Sequence, residues 1–261
     1  MNLLLVPIGI ESKTGGQYAP ILDNKEFVYI PIPSNLSTED PDFKKQIACL
    51  NFFHKKTQHN TYDLKPYTRI PIDPKPNNIN KVYMGDLLSD AQYNGYRLKS
   101  YVPHYDPEFK TYTYGEGSDN KAKTLSKLKE DDMIVFYMSL CPKFHNKPKG
   151  KFIVGYFTIE TIFDYRFKNI RLNYYEVDDR IKNNMHIKQA DSEPVIAKGK
   201  PSESRLFRHA LQFTDSEEWK ILPSILNKIE WTFPTKKVLR GTRKLKGEAA
   251  EKFRALLISH N

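Results

Sequence analysis

Short apolar runs alternate along this chain with polar stretches punctuated by proline and glycine. Leu3 to Ile8 and Glu26 to Ile32 read as two strands, separated by a stretch whose Gly15, Gly16, Pro20 and Asp23-Asn24 are turn formers. From Ser34 to Pro76 the chain is polar, with prolines at 41, 66, 71, 74 and 76, which predicts loops and one short helix near Asp40 to Phe53. Gly85-Asp86 ahead of Leu87 and Leu88 predicts another short helix after a turn. In Asn120 to Lys129, Ala122, Leu125 and Leu128 recur every third position with lysines between them, which predicts a helix.

Asp131-Asp132 turns the chain into the apolar strand Met133 to Leu140, and a basic loop then leads to a returning strand over Phe152 to Tyr165. Gly155 within that strand marks a bulge or a close backbone approach. Val195 to Lys200 reads as a short strand. Ser204 to Phe213 reads as a helix with Ser202 as its N-cap, because Leu206, Ala210 and Phe213 fall on one face. Helices near Glu217 to Ile229 and Gly247 to His260 close the chain. The expected class is α+β, with a central antiparallel sheet or small barrel and helices toward the C-terminus.

Length and composition narrow the picture. The chain's 261 residues suit a single domain, with a core over about 1–215 and a basic helical part over 216–261. Cys49 and Cys141 form no CxxC pair, which points to reduced thiols and a cytoplasmic chain. Leu3 to Ile10 lacks a basic leader and contains Pro7 and Gly9, so it reads as a buried strand and not as a signal sequence. No stretch approaches the roughly 18 apolar residues of a membrane span.

Charge then points to a partner. The formal net charge is +10, and from Lys198 to Asn261 there are 14 Lys and Arg against 7 Asp and Glu. Lys236 to Lys246 carries six basic residues, Lys236, Lys237, Arg240 and Arg243 among them, and no acid. Such a run attracts phosphate by counterion release, making nucleic acid or a nucleotide the expected partner. A solvated basic tail has the same composition.

Candidate chemistry concentrates in Tyr101 to Gly117, which holds His104, three carboxylates and five aromatic rings. His104, Asp106 and Glu116 are candidate acid/base groups, since a carboxylate beside a histidine fixes its tautomer and raises its basicity. In an extended segment His104 and Asp106, two apart, point to one face. The pair would equally suit half of a metal site with His186 as a distant third ligand, or simply hydrogen-bond a proline-rich turn. No metal is assigned and no cofactor is indicated. His54 and His59, five apart without a third ligand nearby, read as surface residues.

Tyr105 and Tyr114 are candidate stacking faces for a base, or core-facing tyrosines of an ordinary strand. Asn184 and His186 can donate to and accept from a base edge, or lie in a solvated loop. Ser202, Ser204 and Arg205 at a predicted helix start are candidate phosphate ligands, with Ser12 to Gly16 as a second set of donors. The glycine pair fits neither phosphate-loop pattern, because GK[ST] and GxGxxG are both missing. No GxSxG elbow supports a serine hydrolase.

LLLVPIGIESKTGGQYAPILDNKEFVYIPIP, VPHYDPEFKTYTYGEG, LKEDDMIVFYMSL with FIVGYFTIE, NNMHIK and GKPSESRLFRHAL, taken in that order, span most of positions 3 to 213. Their order resembles the nucleotide modification associated domain 3 family. That resemblance implies a role beside DNA base modification and partner proteins of a modification or defence system. The strand pair over 133–140 and 152–159 is also similar to the core of PUA-like domains, which implies a partly open barrel and a pocket for a base turned out of its stack. Here the acidic turn reads EDD where such domains commonly show a glycine before the aspartate. Three functions stay open: a nucleic-acid-associated protein that recognises or helps make a modified base, a nucleotide-processing hydrolase or transferase using a His/Asp pair, or an interaction scaffold within a modification or defence system.

Overall fold

Two long apolar strands form the centre of the molecule. A computed structural model describes residues 1–11, 16–55, 64–77, 79–117, 120–142, 148–168, 177–191, 193–217, 219–230 and 241–260, with the backbone alone for 51–55. In chain order the elements are β1 (Asn2–Pro7), β2 (Ala19–Ile21), β3 (Ile32–Ser37), α1 (Phe43–Lys55), β4 (Gln92–Tyr93), β5 (Tyr96–Arg97), β6 (Tyr101–His104) and β7 (Thr113–Glu116). There follow α2 (Asn120–Leu125), β8 (Met133–Pro142), β9 (Gly150–Asp164), α3 (Met185–Lys188), β10 (Val195–Gly199), β11 (Arg205–Gln212), α4 (Pro223–Ile229), β12 (Arg243–Lys246) and α5 (Gly247–Ile258).

β8 and β9 are buried on both faces over most of their length, which is why their sequences read as continuous apolar runs without alternation. They pair antiparallel, and the register slips between Phe136 and Tyr137 because Phe136 faces Gly155 while Tyr137 faces Ile153. Val154 is the extra residue of a bulge. A Cβ on Gly155 would stand 2.5 Å from the Arg205 carbonyl oxygen and 2.9 Å from the Phe109 ring, so the expected close approach is present.

The remaining strands extend this pair into an eight-stranded sheet of order β12-β1-β8-β9-β10-β7, with β11 also on β9 and β2 also on β8. The sheet is mixed and not antiparallel as expected: β1 and β2 both run parallel to β8. The order is open, so the described residues form no closed barrel, PUA-like or otherwise. β3 pairs β6, and β4 pairs β5, as separate two-stranded ladders. Ala250, Phe253 and Leu257 of α5 and Leu245 of β12 belong to the main apolar core.

Three expected elements differ. Glu26 to Ile32 carries only isolated bridges at Glu26 and Phe27, and the strand begins at Ile32. Ser204 to Phe213 is a strand and not a helix; Pro201–Glu203 is a single 3-10 turn ahead of it. The register of β11 on β9 breaks between Leu206 and Leu211. Of the three residues expected on one helix face, Ala210 and Phe213 are buried and Leu206 is half-buried, because the irregularity turns side chains inward at a spacing that imitates a helix. The helix expected from Glu217 starts only at Pro223. No helix among the described residues is long and apolar enough to cross a membrane.

Candidate functional site

β6 ends at His104, paired with Ile32 of β3. The chain does not continue extended: the Asp106 N–H donates to the His104 carbonyl at 2.9 Å, closing a three-residue turn. His104 and Asp106 are therefore brought together by a turn, where strand alternation was expected to do it. Glu108 then organises the next bend by accepting from the Lys110 N–H at 2.8 Å and the Thr111 N–H at 2.6 Å. Tyr112 takes a left-handed φ of 54° before β7 begins.

β7 lies at the end of the sheet on β10, with Gly115 opposite Ile196. The Gly115 N–H donates to Asp106 Oδ1 at 2.7 Å, and the Asn184 amide donates to the same oxygen at 3.1 Å. Asn184 is fully buried and also caps α3, its side-chain oxygen accepting from the His186 N–H at 3.0 Å. A side chain on Gly115 would collide with His186 and stand 2.9 Å from the Asn184 oxygen. Glycine is required there so that α3 can close onto β7.

His186 thus arrives beside the HxD turn. Its Nε2 lies 3.4 Å from Asp106 Oδ2, and its Nδ1 donates to Asp191 Oδ2 at 2.6 Å. The His104 ring meets the His186 ring edge to face, with centroids 4.8 Å apart. Burial alone would push His186 down, but hydrogen bonds to Asp106 and Asp191 and the charge of both carboxylates outweigh it and raise the group to about 10. Burial, and then the neighbouring His186, push His104 down to about 4. The centre therefore places a neutral imidazole against a cationic one. Glu116 is pushed up by burial and by Asp106, against a hydrogen bond from the Tyr114 hydroxyl and the nearby Lys121.

Of the residues singled out in the sequence, His104, Asp106, Asn184 and His186 meet, with Glu116 and Tyr114 next to them. Tyr114 is buried with its ring against Phe136, so that face is covered. Tyr105 turns toward Tyr29 and Met84. Arg205 lies over the Tyr156 ring, in a groove of about 580 Å³ that also takes in Phe109, Lys110, Tyr112 and Arg208 but neither histidine of the centre. Ser204 is buried and accepts from the Thr158 N–H at 3.1 Å, while Ser202 sits on an exposed 3-10 turn. With no helix starting there, the helix-end argument for Ser202, Ser204 and Arg205 as a phosphate site falls away. Arg243 is exposed on β12, a strand at the edge of the sheet.

Ser12, His59, Lys236, Lys237, Arg240 and the His54 side chain lie outside the described residues. Asp191 and Gln189 were not visible as site residues in the sequence, although the former follows His186 by only five positions. Gln189 lies close enough to His104 to favour its protonated form, and its own side-chain Nε2 is buried without a partner among the described residues. Both line a pocket of about 460 Å³ against β3 and α1.

The arrangement can accept a proton at a neutral imidazole or a carboxylate, or present three ligand atoms to a cation: those of His104, Asp106 and His186 all lie within 4.8 Å of one another. Among known proteins, no curated sequence and no solved structure matches the chain. A family model does: residues 2–246 match nucleotide modification associated domain 3, and the chain belongs to that family.

Proposed function

We propose that the protein takes part in nucleotide or DNA modification as a catalytic component, with its chemistry at the His104, Asp106 and His186 centre. The observation that carries this reading is the convergence of partly buried titratable groups from separate segments: His104 and Asp106, Glu116, His186, and the more exposed Asp191. Taking such groups out of water costs stability, and a fold under no demand but stability fills the space better with apolar side chains. Perturbed groups gathered this way are characteristic of reaction centres. Membership of the family supports a nucleotide or nucleic acid as the substrate class.

In this reading the chain works as one unit. Its basic 216–261 part, including Lys236, Lys237, Arg240 and the exposed Arg243, Lys244 and Lys246, contacts backbone phosphates. Edge strands also carry lysines to prevent pairing with other sheets, so a binding role needs its own test. Nucleoside mass spectrometry of DNA and of the nucleotide pool, from cells producing the native chain or Asp106→Asn, tests the catalytic role. A product made by the native chain and missing with the variant supports it. Identical profiles, with binding of modified DNA retained by both proteins, would leave a reader of modified bases in its place.

A further inference from the structure

We propose that His104, Asp106 and His186 together hold one divalent transition-metal ion. Two ligand atoms about 2.1 Å from a tetrahedral ion stand about 3.4 Å apart. His186 Nε2 and Asp106 Oδ2 already stand at 3.4 Å. The remaining pairs lie within 4.8 Å, so closing on an ion asks for a movement of roughly 1 Å, within reach of a side-chain adjustment.

Two of the three ligands are also oriented from behind. The His186 Nδ1–H donates to Asp191 Oδ2 at 2.6 Å, and Nε2 faces Asp106, so an ion bound there takes the place of the Nε2 proton, which is released to solvent. The Gly115 N–H and the Asn184 amide occupy Asp106 Oδ1 at 2.7 and 3.1 Å and leave Oδ2 for an ion. Metal-bound imidazoles and carboxylates are held this way, by carboxylate, amide or backbone partners on the atom that does not bind the metal. A proton relay through Asp106, His186 and Asp191 would explain those three residues alone. It gives no reason for the His104 ring to pack 4.8 Å from His186, whereas a third ligand does.

Two imidazoles and one carboxylate suit ions of the zinc and iron(II) class over magnesium or calcium, which prefer oxygen ligands. Three protein ligands leave coordination positions for water or substrate. The His186 side chain keeps 13% of its surface exposed, and its partner Asp191 borders the 460 Å³ pocket. The inference rests on the catalytic reading above for its purpose, since a bound ion would polarise a substrate oxygen or activate a water there.

The full chain, stripped with a chelator and dialysed, would be titrated with Zn²⁺ by calorimetry and with Co²⁺ by visible absorption. One ion per chain and the absorption bands of nitrogen- and oxygen-bound Co²⁺ are expected. His104→Ala should abolish the high-affinity phase, whereas Asp191→Asn should keep one ion and weaken it about 10- to 100-fold. Should His104→Ala fail to fold, as judged by thermal melting of the metal-free variant, Asp191→Asn and Asp106→Asn carry the test. Absence of saturable binding, or binding unchanged in His104→Ala and Asp106→Asn, overturns the inference. A single bound ion in a protein that alters no nucleotide or DNA keeps the metal site and removes the catalytic reading. Turnover by the chelator-stripped protein does the reverse.

Discussion

His104 and His186 lie edge to face with ring centroids 4.8 Å apart, and the two imidazoles hold opposite preferences for a proton. His186 sits between Asp106 and Asp191 and binds its proton tightly. His104 is buried against that cation and gives its proton up. Eighty-two positions of sequence separate two groups whose properties are set by each other.

This opposition predicts the pH dependence of stability in the metal-free protein. His186 is raised to about 10, so its contribution is complete below the unfolded value of about 6.5 and is lost as pH rises toward 10. His104 is lowered to about 4, so its contribution is complete above about 6.5 and is lost as pH falls toward 4. Urea unfolding from pH 4 to 10 should therefore show stability greatest near neutrality, with each limb worth on the order of 3 kcal/mol. In His186→Gln the alkaline limb should largely disappear. A variant that keeps the full alkaline limb would show that another group produces it.

Gly115→Ala should be costly where Gly117→Ala is not. A Cβ at 115 collides with His186 and comes within 2.7 Å of Ile196 and 2.9 Å of Asn184, while at 117 nothing among the described residues lies within 4 Å. We expect a loss of about 1–3 kcal/mol for the first and under about 0.5 kcal/mol for the second. Equal denaturation midpoints for the two variants would mean that α3 does not close on β7 as described.

Asn184 joins two jobs, capping α3 and holding Asp106. Asn184→Ala should cost about 2 kcal/mol by removing a cap and leaving buried partners unpaired. Asn184→Asp keeps the capping oxygen but sets a second carboxylate against Asp106. Its deficit should shrink as pH is lowered from 8 to 5, unlike that of the alanine variant. Parallel denaturation curves at both pH values would argue against the contact with Asp106.

Arg243 and Lys244 are exposed on the edge strand β12. Replacing both with alanine should weaken DNA binding evenly across sequences and reduce the slope of log affinity against log salt by about 2. Stability should change by less than about 0.5 kcal/mol. An unchanged slope would remove this edge from the proposed phosphate contacts.

Local features carried well from sequence to structure. Met133 to Leu140 and Phe152 to Tyr165 read as strands because burial on both faces leaves an unbroken apolar run, and Gly155 announced the bulge between them. β11 was misread because its irregular pairing with β9 imposes a spacing that is not its own. The parallel pairing of β1 with β8 joins Leu3 to Met133, and nothing in either strand specifies the partner.

The candidate centre divides the same way. The sequence alone determined that His104 and Asp106 are neighbours, since two residues apart can meet through any tight turn, and it offered His186 as a distant third. Only the tertiary structure decided that they meet, because the meeting depends on β7 pairing with β10, on a glycine small enough to admit α3, and on Asp191 turning the imidazole. Those are long-range steric and electrostatic conditions. A one-dimensional pattern records the groups that take part, and folding sets the distances at which their charges act.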